Sequence, residues 1–299
     1  SSREDRTKSM ANLAGAFGLG TVIGPFVAPL FIVPHENVAG PLFGFAGIAA
    51  VMLGIVWRFL PESPFVAETR RQTLELEAKV AATGEKLKPM WLDRRLTPFL
   101  IYGFLVAVCQ TVQGQILGFL IIDTMHLTPS QAQGFIAIAM MFGAVAGLLA
   151  QWGIIGFFEM GPRQLLRWGV GIAAIGMLMV AFASTYWMVV AGYAISSLGF
   201  GLARPGFTAG ASLSVQMDEQ ARAAGAIAAV NGINVVLAPA FVKLYEQWAW
   251  APFVVATVVL VALLVYAFVN PILKNIDESP ATTDEIAGST LERTDEAGV

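Results

Sequence analysis

The sequence predicts an all-α polytopic membrane protein with eight transmembrane helices. Three observations lead there. Eight apolar runs lie at about 11–33, 41–60, 97–122, 132–156, 165–185, 187–211, 222–244 and 250–272. Each is close to the ~20 residues that a helix needs to cross a hydrocarbon core ~30 Å thick. The runs are continuously apolar and do not alternate, which excludes the strands of a membrane barrel. A backbone in lipid must satisfy its own hydrogen bonds, and a helix does so within one segment. Composition agrees: 56% of residues are hydrophobic and only 13% charged, against about 25% charged in an ordinary soluble domain.

The basic residues orient the runs. Of eighteen Lys and Arg, all but Lys243 and Arg204 fall at the chain ends or in every second loop. Arg3, Arg6 and Lys8 precede run one, and eight cations from Arg58 to Arg95 lie between runs two and three. Arg163 and Arg167 follow run four, Arg222 opens run seven, and Lys274 and Arg293 follow run eight. The positive-inside rule then puts both termini in the cytoplasm, in an inner-membrane arrangement. His35 and His126 fall in outer loops. Trp57, Trp152, Trp168, Trp187, Trp248 and Trp250 sit at run ends, as an interfacial belt requires. A nucleic-acid partner is not expected, because the cations are scattered over loops and not gathered on one soluble face. The single Cys109 lies inside run three and allows no disulfide within the chain.

The stretch 61–96 is the one long connection, with Pro61, Pro64, Gly84 and Pro89 around a charged segment (about 66–82) that reads as a surface helix. It leaves two runs before it and six after. Laying run one on run seven at an offset of 214 residues matches Gly18 with Gly232, Val22 with Val236 and Pro25 with Pro239. A proline deep in a membrane helix is costly and marks a kink, so the shared proline is the informative match. The arrangement predicts two six-helix halves. Residues 1–60 are then the last two helices of an N-terminal half and 61–96 the inter-half loop. Residues 97–272 form the C-terminal half, and 273–299 are a disordered acidic tail. On this expectation the chain carries helices five to twelve of twelve.

With these features the chain resembles the major facilitator superfamily, and within it the twelve-helix drug:proton antiporters. The resemblance is carried by Gly20-Thr21-Val22-Ile23-Gly24-Pro25-Phe26-Val27-Ala28-Pro29, set against the family's fifth-helix antiporter pattern G-x-x-x-G-P-x-x-G-G. Gly20, Gly24 and Pro25 match, while Ala28 and Pro29 replace the last two glycines. A relic of the superfamily's cytoplasmic loop pattern, G-x-L-A-D-R-x-G-R-K, survives as Gly161 and Arg163, with Phe158 and Glu159 in place of its Asp and first Arg. The resemblance implies alternating-access secondary transport, with a small amphipathic or hydrophobic substrate, a proton as coupling ion, and the lipid bilayer as surroundings. Uptake of a small metabolite by a symporter is the alternative. No cofactor or metal is implied.

Physical reading of the residues supplies candidate sites. Gly20 and Gly24 form a smooth stripe at i, i+4, either for passive packing or for a moving contact between halves, and Gly143 and Gly147 offer a matching stripe on run four. No Asp or Glu lies at the middle of any run, so a titratable coupling carboxylate is expected on helices beyond these eight. Gln110 and Gln113 share a face of run three at mid-depth. They are read either as helix-to-helix hydrogen bonds or, by resemblance to the cavity-lining seventh helix, as substrate contacts. Tyr193, Ser197 and Phe200 form a mixed face on run six, again packing or cavity. Asn231 and Asn234 on run seven are assigned to the contact between halves. Arg204, before Pro205, either snorkels to the inner headgroups or meets a substrate anion. A membrane-embedded enzyme would need paired intramembrane carboxylates or metal ligands at one depth, and the runs hold neither.

Overall fold

The computed structural model describes residues 20, 24, 27, 40–59, 90–158, 160–215 and 219–274. Among them the regular structure is helical throughout. The helices are α1 (Gly40–Phe59), α2 (Thr97–Met125), α3 (Pro129–Leu148), α4 (Ile155–Phe158), α5 (Pro162–Ala181), α6 (Tyr186–Leu213), α7 (Gln220–Ile233), α8 (Ala238–Gln247), α9 (Ala251–Val269) and α10 (Pro271–Lys274). A π-helical segment, Leu149–Ile154, joins α3 to α4, and a 3-10 turn, Asn234–Leu237, joins α7 to α8. Seven described spans are long and apolar enough to cross a membrane, and they coincide with runs two to eight. Of run one, Gly20, Gly24 and Val27 are helical. Its remaining residues, Pro25 included, lie outside the described residues, as do the segment read as a surface helix and the acidic tail.

Local chemistry sets the boundaries. Proline occupies the first turn of α2, α3, α5, α8 and α9, where its missing N–H would have no helical partner anyway. Thr128 and Gln131 close a capping box at the start of α3. Thr185 caps α6 by accepting from the Met188 N–H. α2 stops at His126, which enters the left-handed region at φ 54° and donates its N–H to Ile122 O. The short links that follow α2 and α5 make each next helix antiparallel to its predecessor.

α6 lies at the centre of the bundle and packs against α5, α3 and α2, while α9 closes the outside against α5 and α2. The α5–α6 contact is made by small residues. An added Cβ on Gly169 would come within 2.6 Å of the Ala203 backbone, and one on Gly206 within 2.8 Å of Leu165 Cβ. One on Gly176 would overlap the Ser196 backbone, and one on Gly199 that of Ala173. Backbones this close gain the dispersion contacts that drive helix association in lipid. The core is filled by Phe99, Tyr102, Phe200 and Phe253, each fully buried. The Tyr102 hydroxyl donates to Leu166 O at 2.6 Å. None of the apolar window of α1 is buried against the other described residues.

Two spans are broken. In run seven the 3-10 turn precedes Pro239 at the start of α8. Proline supplies no N–H there and its ring clashes with the carbonyl four residues back. The α-helical hydrogen bonding is interrupted just before the proline that the sequence matches with Pro25 of run one. Run four passes through the π-helical segment, a feature common at functional sites.

Candidate functional site

Gln113 is the polar centre of the bundle. Its side chain is 2% exposed, and Nε2 donates to Tyr193 O at 3.1 Å and to Ser197 Oγ at 3.3 Å. A carbonyl cannot donate, so the Tyr193 contact dictates that the amide nitrogen faces α6. Oε1 is thereby turned away, and it accepts no hydrogen bond among the described residues. The Ser196 hydroxyl also donates to Tyr193 O, at 3.0 Å, and to Gly192 O at 2.8 Å.

Gly143 on α3 leaves the room this node needs. An added Cβ would overlap the Tyr193 ring and lie 2.9 Å from Ser197 Oγ. A Cβ added at Gly147, one turn on, would make an ordinary contact with the Ser197 carbonyl oxygen at 3.9 Å. The stripe that the sequence offers to run one therefore faces α6 among the described residues. Among the described residues, nothing lies within 4 Å of a Cβ added at Gly20 or Gly24. The remaining candidates separate. Gln110 and Tyr193 are half-buried, whereas Phe200 is 1% exposed and packs in the core. Its i+7 position returns to the face of Tyr193, so its burial reflects the neighbours that cover that turn of α6 and not its spacing.

Two ties set the depth of Asn234. At one end Arg95 Nη2 bridges Asp93 Oδ2 at 2.8 Å and Glu219 Oε2 at 3.0 Å. At the other, the Tyr245 hydroxyl donates to Asp123 Oδ2 at 2.6 Å. The bridged pairs across α2 and run seven are 124 and 122 residues apart. The two spans thus run in one direction with a nearly constant offset, and Asn234 comes level with the Gln110–Gln113 turn. Asn234 sits on the 3-10 turn, is 6% exposed, and its Oδ1 accepts no hydrogen bond among the described residues. Among the described residues it is buried; the sequence assigned it, with Asn231, to the contact between halves. Its local signal, an Asn just before Pro239, was visible, but its level relative to Gln113 was not.

The result is an uncharged polar layer of Gln110, Gln113, Tyr193, Ser196, Ser197 and Asn234, beside a helix break. Gln113 lies sixteen residues into the 29-residue α2, ~24 Å along a helix rising ~1.5 Å per residue. Arg204 and Thr208 continue the face of Tyr193 and Ser197 along α6, at spacings that return to one side of a helix. Both are exposed, and the Thr208 hydroxyl donates to Arg204 O at 3.0 Å. Arg204 stands seven residues beyond Ser197, ~10 Å along the helix.

The ties themselves are testable. Tyr245→Phe deletes a hydroxyl donated to a carboxylate, and a loss of about 1–2 kcal/mol is expected. Thermal unfolding in detergent reads it, and a wild-type melting temperature would show that the tie adds nothing. At the other end, the Arg95 hydrogen bond holds the Asp93 carboxyl below its usual range. A lowered carboxylate stabilises above its unfolded pKa, and that contribution disappears as pH falls through the lowered value. Because Arg95 is exposed, the effect is small and screened by salt. Melting curves from pH 6 to pH 2 should fall slightly less steeply in Arg95→Ala than in wild type, and identical slopes would show that the Arg95–Asp93 bond adds nothing.

The sequence profile of the Major Facilitator Superfamily matches residues 1–239. The chain belongs to this superfamily. Among solved structures, it is similar to a mutant of the peptide transporter POT in complex with sulfate, with a TM-score of 0.52 and 17% identity over 68% of this chain and 44% of that one. A POT family transporter in complex with 5-aminolevulinic acid gives a TM-score of 0.51 and 13% identity, over 68% of this chain and 46% of that one. At these identities the likeness is one of fold. The chain spans less than half the length of either structure. No curated protein matches it. Among the described residues no three His, Cys, Asp or Glu side chains cluster as metal ligands would.

Proposed function

We propose that the protein is a secondary active transporter that works by alternating access and exports small amphipathic or hydrophobic compounds in exchange for protons. The observation that carries this reading is the uncharged polar layer, where Gln113 Oε1 and Asn234 Oδ1 accept nothing from the described protein. Substrate sites in transporters of this kind lie near the midplane beside discontinuous helices, and the layer adjoins the 3-10 break of run seven. Gln110, Gln113, Tyr193 and Ser197 are the proposed substrate contacts, with Asn234 added. Gly20, Gly24 and Pro25 are the proposed contact between halves, and α1 with the run before it belongs to a first half. Both termini face the cytoplasm of an inner membrane on this reading.

The symporter reading is favoured by one feature, Arg204 on the same face as the polar layer. A fixed cation there suits a substrate bearing a carboxylate or phosphate. Full-length protein in proteoliposomes under an imposed pH gradient separates the two. Movement of an amphipathic dye against the proton flow supports exchange, and movement of a carboxylate-bearing solute with the proton flow overturns it.

The glycine stripe has its own test. Gly24→Leu makes the run more apolar, so membrane insertion should be unchanged. The larger side chain should separate the helices that meet there, and uphill transport should be lost or become leaky, with Gly20→Leu similar. Normal coupled transport by Gly24→Leu would remove any mechanistic role for the antiporter pattern.

A further inference from the structure

The outer face of the bundle carries a groove unrelated to the polar layer. It runs between α5 and α9 and encloses about 620 Å³. Its walls are Gly171, Ile175, Leu178, Val261 and Leu264, and Arg167, Trp168 and Phe268 stand at one end. Ile175, Leu178 and Val261 are exposed, so the groove opens away from the core. From Arg167 to Leu178 it extends ~17 Å along α5, a little more than one leaflet of a hydrocarbon core ~30 Å thick.

The charged end is held in place. The Arg167 guanidinium lies 4.1 Å from the centre of the Phe268 ring, and its Nε and Nη2 donate to Ala267 O at 3.4 and 3.3 Å. α9 thus clamps the cation of α5 over the mouth of the groove. Arg163 lies one turn earlier on the same helix, at a spacing that shares a face with Arg167. An apolar channel one leaflet long, ending under a clamped guanidinium with a second cation beside it, matches one kind of molecule. The chain of a lipid fits the channel and its phosphate fits the cations.

We propose that the α5–α9 groove binds one anionic phospholipid, with an acyl chain along Gly171–Leu178 and the headgroup phosphate at Arg167 and Arg163. Basic pockets between membrane helices on the cytoplasmic side recognise anionic headgroups in this way. Zwitterionic lipid offers the same chain with no net charge, so the cations supply the selectivity. The inference is independent of what the protein transports.

Trp168 at the mouth is a built-in reporter. Full-length protein is placed in phosphatidylcholine vesicles containing either brominated phosphatidylglycerol or brominated phosphatidylcholine. The quenching assigned to Trp168 is the part of the emission that Trp168→Phe removes. Phosphatidylglycerol should quench this part at about fivefold lower mole fraction for each cation engaged. Arg167→Gln should bring it towards the phosphatidylcholine curve. Gly171→Leu grows a side chain into the groove, where an added Cβ already lies 3.9 Å from Leu264, and should reduce quenching by both lipids. Equal quenching by the two lipids in wild type would mean annular lipid only and overturn the proposal, with no variant needed. Insensitivity of Trp168 to both lipids, as a second copy seated over the groove would produce, would overturn it too.

Discussion

Gly199→Leu is expected to prevent the six-helix bundle from assembling. An added Cβ at Gly199 would overlap the Ala173 backbone and come 2.6 Å from Gly169 O. Neither obstacle is the movable tip of a side chain, so relief requires α5 and α6 to separate along their length. Separation also opens the contacts at Gly169, Gly176 and Gly206, which are similarly close. Overpacking alone costs about 1–3 kcal/mol, and the lost backbone approach adds to it because lipid provides no hydrophobic drive to bring the helices back. The measurement is the yield and thermal unfolding of the detergent-purified protein. Gly153→Leu is the control, since among the described residues nothing lies within 4 Å of an added Cβ there, and it should melt close to wild type. A Gly199→Leu protein that melts with wild type would mean that the α5–α6 contact is not the organising one.

The second large effect concerns function. Gln113→Leu removes the two donated hydrogen bonds to α6 and the amide oxygen turned away from it, while keeping the side chain's bulk. Each bond contributes about 1 kcal/mol net. Tyr193 O retains its Ser196 partner and Ser197 retains a hydroxyl of its own, so the bundle should fold and insert. Substrate affinity is expected to fall about tenfold, equivalent to ~1.4 kcal/mol, and Gln110→Ala should alter substrate range more mildly. Binding to purified protein over a panel of amphipathic compounds checks both. If neither variant changes any affinity, the glutamines serve packing alone.

How much of the site was legible in the sequence differs from residue to residue. Gln113 stood out because a primary amide is rare at mid-depth in an apolar run, and Tyr193 and Ser197 because their spacing shares a face. Phe200 fits the same spacing yet points into the core. Seven residues return to within about 20° of the same side of a helix, so spacing alone does not separate Phe200 from Tyr193, and the neighbouring helices decide which turn is covered. Asn234 was visible as an unusual residue, but its level beside Gln113 follows from the Arg95–Glu219 and Asp123–Tyr245 ties, whose partners are more than a hundred residues apart. Gly143 looked like half of a symmetric glycine contact. Its neighbour is the Tyr193 ring, and no local pattern records which helix supplies a neighbour.

The sequence by itself determined the membrane class, the positions of seven described spans and the superfamily. These are local properties. The length of an apolar run is matched to the bilayer thickness, the first-turn prolines act on their own turn, and the family pattern is a string of adjacent residues. Only the tertiary structure decided that α6 is the central helix, that small residues on α5 and α6 interlock, and that Gln113 and Asn234 share a level. The groove ending under Arg167 also emerged only there. Each of these depends on how one helix is rotated and shifted against another. In lipid that choice rests on close packing and a few polar ties, summed over residues far apart in the chain. No window of sequence contains that sum.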